Sequence, residues 1–292
     1  MKTKIQNGNK ITHQLKKKTK KNNKFTKKII KISNTRVYDK YISIVNANVK
    51  LPKYNWFFKS HKYYTEILEN LGSYYGNLYM SEIKNKFNTL FNKNKKFLVK
   101  LTVENDRYGK PKKKSFEGFT KCSPNDLRYI LQSFIILTFM EKQKLNNIDI
   151  IEIGGGYGGL AFFIIKIAGL FNITIKSYTI FDLQDVSKLQ KAYIEALGIN
   201  NITTMNFYQL DTYKDLKKNS FLISNYAFSE ISMELQKEYT EKILNPYVSY
   251  GFLIWNYIPI YNFIENKIIS SELEYPDTSN NNTNYYVTFI PK

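Results

Sequence analysis

The stretch Ile150–Gly159 reads IIEIGGGYGG, with five glycines in six residues directly after an apolar run. Glycines at this density serve a backbone that must take positive φ or pass close to a ligand. At a strand–helix junction such a turn cradles a nucleotide-like ligand near the helix N-terminus. A nucleoside triphosphate, a dinucleotide and S-adenosylmethionine (SAM) all qualify at first sight. No Gly-Lys-Ser/Thr follows, so the triphosphate pattern is not met. The turn fits Gly154-x-Gly156-x-x-Gly159, the dinucleotide fingerprint, and also Gly154-x-Gly156-x-Gly158 preceded by an acid, Glu152. A carboxylate at the strand's end suits a ligand carrying an ammonium and a sulfonium and repels a pyrophosphate. A tight junction without a ligand is the plainer alternative.

A second acid, Asp182, closes YTIFDL 24 residues after Gly158. It can accept hydrogen bonds from ribose hydroxyls, which both NAD and SAM carry, or serve as the N-terminal charge of the next helix. The expected cofactor contacts are Glu152, Gly154, Gly155, Gly156, Tyr157, Gly158, Asp182, Leu183, Asp211 and Asn225. Tyr157, Tyr226 and Phe228 are candidates for stacking on the adenine or a sugar face. The run SNYAFSE at 224–230 forms a rim in which Asn225-Tyr226 is partly similar to the Asn-Pro-Pro-Tyr signature of base-methylating enzymes, with both prolines missing. Only His13 and His61 are present, so an acid must serve as general base. Glu230 is the first candidate and Asp106, on a loop able to fold as a lid, the second. The bland alternative for Glu230 is a helix N-terminal charge. Arg128, Tyr129, Tyr226 and Ser229 are candidates for the acceptor. Arg128 would bind hydroxyls or a nucleotide-sugar phosphate, unless it pairs with a nearby acid and Tyr129 packs in the core. No Asp, Glu and His cluster stands at metal-ligand spacing, which predicts a metal-independent site.

Elements able to position these residues are legible on both sides of the turn. Short apolar runs predict strands near 148–153, 175–181, 202–207, 219–224 and 250–256, with an edge strand at 285–290. Helices are expected near 158–170, 185–197 and 232–244, with NPY at 245–247 as a helix stop. The alternation predicts an α/β, mostly parallel doubly wound sheet covered on both faces. Ahead of it, Ser123, Pro124 and Asp126 mark the start of a broad apolar helix running to about Leu145. Residues 37–121 read as a mainly helical accessory region interrupted at Gly72 and Gly76, and residues 122–292 as the ligand-binding domain. The polar run TSNNNTN at 278–284 reads as a turn between late strands.

The net charge of +20 is uneven across the 292 residues. Residues 1–36 hold twelve lysines and Arg36 with no acid, +13, while the remainder carries 31 bases against 24 acids, +7. That tail lacks a core's worth of apolar residues and reads as disordered, either merely solvated or an arm for a polyanion. A single cysteine, Cys122, excludes an intrachain disulfide and points to a reducing, cytoplasmic setting. No run reaches the length of a membrane span.

Taken in order, IIEIGGGYGGLA, YTIFDLQDVSKLQKAYIEALG, LISNYAFSEIS and YGFLIWN resemble the sugar O-methyltransferase family, a class I SAM-dependent group. The pieces NDRYGKP and SPNDLRY are similar to that family's lead-in. The likeness covers about residues 104–256 and leaves out the tail and the aromatic N-terminal region. It implies a Rossmann-like class I methyltransferase sheet with an N-terminal helical region, SAM as cofactor, and a sugar, nucleotide-sugar or glycan acceptor methylated on a hydroxyl.

Overall fold

The structure, a computed structural model, describes residues 35–206, 209, 215–279 and 283–292. The lysine-rich stretch up to residue 34 and Asp211 lie outside them. The chain opens with α1 (Thr35–Val49), the short α2 (Lys62–Thr65) and the long α3 (Ser73–Asn105). A small hairpin, β1 (Lys114–Ser115) with β2 (Lys121–Cys122), leads into α4 (Pro124–Lys142). Then come β3 (Ile148–Ile153), α5 (Gly159–Ile167), β4 (Ile175–Asp182), α6 (Gln184–Ala196) and β5 (Ile202–Asn206). The second half runs β6 (Ser220–Asn225), α7 (Ala227–Glu230), α8 (Met233–Tyr239), α9 (Asn245–Tyr247) and β7 (Val248–Trp255). Strands β8 (Lys267–Leu273) and β9 (Tyr285–Pro291) end it.

The seven-stranded sheet has the order β5-β4-β3-β6-β7-β9-β8. All pairs from β5 through β7 are parallel, and β9 is antiparallel to both β7 and β8. The chain winds outward from β3 to β5, then returns to β6 on the other side of β3. That reversal opens a crevice beyond the carboxyl ends of β3 and β6, where ligands of open α/β sheets bind. This is the Rossmann-like class I methyltransferase sheet implied by the sequence, helices on both faces included. Strand β8, at the sheet's free edge, was not expected: KIISSEL has apolar residues on a largely exposed strand and gives no clean alternation. NPY forms the last turn of the helical stretch that begins at Met233, which stops at Tyr247 as expected.

Both faces of the sheet are buried. Ile148 and Ile150 join one apolar cluster with α3, α4, α5 and α6, while Ile151 and Ile153 join the other with α8 and the β7–β9 strands. Each such side chain, once buried, contributes roughly 1.5–3 kcal/mol of transfer free energy. The first cluster continues without a break into Tyr41, Phe58, Tyr64 and Tyr79 of the helical region. Helix α4 explains its own all-round apolarity: it lies between α3 and α5 and is buried along most of its length. Ser123 caps it as expected, its hydroxyl accepting from Asn125 N at 3.2 Å. Helix α3 deviates from helical geometry at Phe87 (φ −129°, ψ 27°), not at Gly76.

Polar bonds tie the helical region to the glycine turn. The buried Lys59 ammonium donates to the Asn105 carbonyl (2.6 Å) and Tyr193 hydroxyl (2.9 Å) and sits 4.2 Å from the Tyr157 ring centre. Burial pulls its pKa down, opposed by Glu69, Asp106 and Asp126. Glu69, at φ +58°, accepts from the hydroxyls of Tyr157 (2.9 Å) and Ser123 (3.2 Å). These bonds seat the segment around Leu68 directly on the turn.

Candidate functional site

The turn after β3 needs its glycines mainly for conformation. Gly154, Gly156 and Gly158 have φ of +76°, +59° and +89°, values that strain any residue with a Cβ. The close approaches expected from a ligand are also met by the protein. A Cβ on Gly154 would lie 2.0 Å from that of Ala227, and one on Gly156 would lie 2.8 Å from Leu68. Ser224 staples the two strand ends, donating to the Ile153 carbonyl (2.9 Å) and accepting from Phe228 N (3.0 Å). The crevice is therefore held at a fixed width before any ligand arrives.

Two cavities meet there. The first, about 200 Å3, lies over the ends of β3 and β4, against Phe181, Asp182, Leu183, Tyr38 and Tyr41. The second, about 360 Å3, extends toward Arg128, Tyr129, Asn256, Tyr257 and Asn284. Ile67, Leu68, Gly154, Gly156, Asn225, Tyr226 and Glu230 line both. Their joint size lies within the roughly 300–1,000 Å3 of small-molecule sites.

Asp182 both shapes and lines the first cavity. One carboxylate oxygen accepts from Leu183 N (2.7 Å); the other accepts from Gly156 N (3.1 Å) and Gln190 (2.9 Å). Burial pushes its pKa up to about 7, against the lowering effect of these three bonds. Of roughly four acceptor positions on a carboxylate, three are filled, leaving capacity for one ribose hydroxyl, not two. Glu152 stands inside the end of β3, on the wall of the second cavity, and accepts from the Tyr178 hydroxyl at 3.1 Å. Burial raises its pKa to about 8; the Tyr178 bond lowers it and Asp182 adds to the rise.

The rim after β6 is strained. Tyr226 has φ +66° without being a glycine, and its hydroxyl donates to Glu274 at 2.6 Å. Such conformations persist where the surroundings over-determine them and cluster at functional sites. Glu274 is buried, also accepts from Asn284 (3.0 Å), and burial carries its pKa to about 7. Glu230, at the end of α7, is exposed toward both cavities; desolvation raises its pKa and a bond with Asn256 lowers it. Asn225 donates to Gln132 (3.1 Å), and its Oδ1 is buried with no partner.

Several expected contacts fall elsewhere. The Tyr157 ring points into the helical layer, 4.9 Å from Tyr193, because its hydroxyl is drawn to Glu69 and Asn105. Phe228 packs against Trp255 and Phe263. Ser229 is buried, donating to Tyr226 O (2.8 Å) and accepting from Asn256 N (3.3 Å), so it closes the turn instead of facing an acceptor. Asp106 is no lid acid: it is buried, accepts from Ser123 N (3.0 Å), lies 3.5 Å from Lys113 Nζ, and lines neither cavity. Gly158 caps α5 and stands outside both cavities, whereas Gly155 lines the second. Tyr129 lines the second cavity although it is buried, and Arg128 stands beside it without an acid partner. Sequence reasoning missed Tyr38, Tyr41, Ile67, Leu68 and Glu274. It could have found Asn256 and Tyr257, which directly follow the carboxyl end of β7. Among the described residues no group of three or more His, Cys, Asp or Glu side chains is placed to hold a metal ion, and no helix is long and apolar enough to cross a membrane.

No protein-family model matches the chain, and no curated protein does. Solved structures do. A "putative sarcosine dimethylglycine methyltransferase" from Galdieria sulphuraria is 22% identical (TM-score 0.34), over 45% of this chain and 48% of that one. The chain thus spans about half the length of that protein. The M. capricolum TrmK structure with S-adenosyl-homocysteine is 17% identical (TM-score 0.37; 54% and 67% covered). A SAM dependent methyltransferase from Aquifex aeolicus is 13% identical (TM-score 0.38; 53% and 89% covered). The fold class rests on the strand order and crossover pattern themselves.

Proposed function

We propose that the chain is a SAM-dependent methyltransferase acting on a sugar hydroxyl in glycan or polysaccharide assembly. The observation that carries the reading is a two-part crevice at the β3–β6 switch point, one part mainly apolar with Asp182 on its wall, the other rich in amides and hydroxyls, with Glu230 where the two meet. The residues fit SAM. Phe181, Leu183 and Tyr41 offer apolar walls for an adenosine, Asp182 retains an acceptor position for its ribose, and Asn225 presents an unpaired acceptor. The acceptor side follows from the sequence resemblance and is supported by Asn70, Asn256, Thr278, Asn284 and the exposed Tyr257 on the second cavity. Amides pair with vicinal hydroxyls, and tyrosine rings cover sugar faces.

When bound, the sulfonium supplies an activated methyl group, so the chain's own tasks are alignment and proton removal. Glu230 takes the proton from the attacking hydroxyl; its raised pKa moves it toward the range useful for a base near neutrality. Tyr226, held by Glu274, fixes the oxygen that attacks. Leu68 and Ile67 keep water from the junction of the two cavities.

Methyl transfer from labelled SAM to a panel of nucleotide sugars and glycans, read by mass spectrometry, tests the proposal. A methylated hydroxyl is the expected product. Methylation of RNA or DNA that survives deletion of residues 1–36 would replace the sugar reading with a nucleic-acid one. Absence of SAM affinity would reduce the chain to a binding protein of this fold.

A further inference from the structure

Arg128 is the anomaly of the second cavity. It is 6% exposed, yet among the described residues no carboxylate stands within 4 Å of it. Its Nε is buried without a hydrogen-bond partner, and the guanidinium instead lies 5.5 Å from the Tyr129 ring centre. Neighbouring acids are turned to other groups: Glu69 to Tyr157 and Ser123, Glu274 to Tyr226 and Asn284. Glu69 and Glu274 act on its charge only at longer range, a buried donor without an acceptor is costly, and Arg128 lines a cavity with room for that acceptor. Asn225, which lines both cavities, has a buried Oδ1 without a hydrogen-bond partner.

We propose that Arg128 clamps the carboxylate at the amino-acid end of the cofactor, with Asn225 and Glu152 receiving the ammonium. This rests on the reading that the chain binds SAM, and it reassigns Arg128 from the acceptor to the methyl donor. Charge decides between the two sources of an anion. The second cavity's ionisable wall carries one cation, Arg128, against two acids, Glu152 and Glu230. A diphosphate would meet both acids at close range, whereas a ligand end bearing an ammonium, a sulfonium and one carboxylate complements all three. The shared lining of Gly154, Gly156, Asn225 and Tyr226 lets one molecule run from Asp182 into this cavity. A guanidinium pairs with a carboxylate through two parallel bonds, and Arg128 lines this cavity.

Calorimetric titration of the full chain distinguishes the outcomes. Native protein should bind SAM roughly 10- to 100-fold more tightly than decarboxylated SAM, which lacks only the carboxylate. Arg128→Met should weaken S-adenosylhomocysteine by a similar factor and leave 5′-methylthioadenosine, which lacks the amino-acid end, unchanged. Arg128→Lys should recover part of the loss. Equal affinity of native protein for SAM and decarboxylated SAM overturns the clamp, and this comparison needs no variant to fold. So does an equal loss of both adenosine ligands in Arg128→Met, or unchanged S-adenosylhomocysteine binding with loss of UDP-glucose, which would assign Arg128 to an acceptor phosphate. If native protein binds methylthioadenosine and none of the others, the clamp fails; if it binds no adenosine compound, the cofactor reading itself fails.

Discussion

The two cavities share a floor at Gly154 and Tyr226 but differ in chemistry. On the β4 side, rings and aliphatic chains surround Asp182, whose bonds to Gly156 and Leu183 make it part of the scaffold, while Glu230 stands at the floor the two cavities share. On the β6–β7 side, amides, hydroxyls and three ionisable groups line a wider space closed by the loop after β8. The first is built to recognise a shape with little freedom, and its binding group is inseparable from the fold. The second separates opposite charges and offers many weak partners, as expected of a place that must hold a zwitterion and admit a hydroxyl. Affinity for the adenosine should therefore reside on the first side, and the grip on the amino-acid end, together with turnover, on the second.

The most forceful way to break this contrast is Glu230→Gln. Turnover on the acceptor found in the panel should fall by about 10²–10⁴-fold with a far smaller loss of SAM affinity; full activity would remove Glu230 as base. Gly154→Ala should act on the fold, because its Cβ would lie 2.0 Å from that of Ala227 at φ +76°. Denaturant unfolding should show a loss of roughly 2–4 kcal/mol. A milder probe of the first side is Asp182→Asn, which keeps shape but removes the charged acceptor. Calorimetry should give about 10-fold weaker SAM, with methylthioadenosine weakened in parallel because both carry the ribose.

The last probe is pH. Glu152, at about 8, and Asp182, at about 7, are largely protonated at pH 6 in the ligand-free protein. Cationic groups and ribose donors favour the ionised acids, so binding releases protons and SAM affinity should rise from pH 6 to 8, then level off. The rise is at most about tenfold per pH unit for each proton released, read in buffers of different ionisation enthalpy. In the absence of ligand the dependence reverses. Glu152, Asp182 and Glu274 bind protons more tightly folded than unfolded, so their contribution to stability is full below pH 4 and declines as pH rises toward 8. Scanning calorimetry at pH 5 and 8 checks it.

Much of the sheet was legible because its strands are short runs rich in β-branched and aromatic residues set between polar stretches, the mark that burial on both faces leaves in a sequence. The turn's positive φ values were legible for the same local reason. Strand β8 was not, since its pairing with β9 is an antiparallel contact made by a largely exposed strand. Tyr157 and Ser229 sit in motifs that point to a ligand, yet bonds to Glu69 and Asn256, distant in the chain, turn them inward. Glu274 carries no local signal; only the return of β8 and β9 to the sheet brings it to Tyr226.

By itself, then, the sequence determined what repeats locally: strand and helix periods, the cap of α4, a glycine turn and acids at two strand ends. Tertiary structure decided which side chains face the crevice, that the segment around Leu68 closes on it, and that Arg128 is left without an acid. Periods of two and 3.6 residues are written in neighbouring positions, whereas the direction of a buried polar group depends on partners tens of residues away, and on which of them another group has already taken.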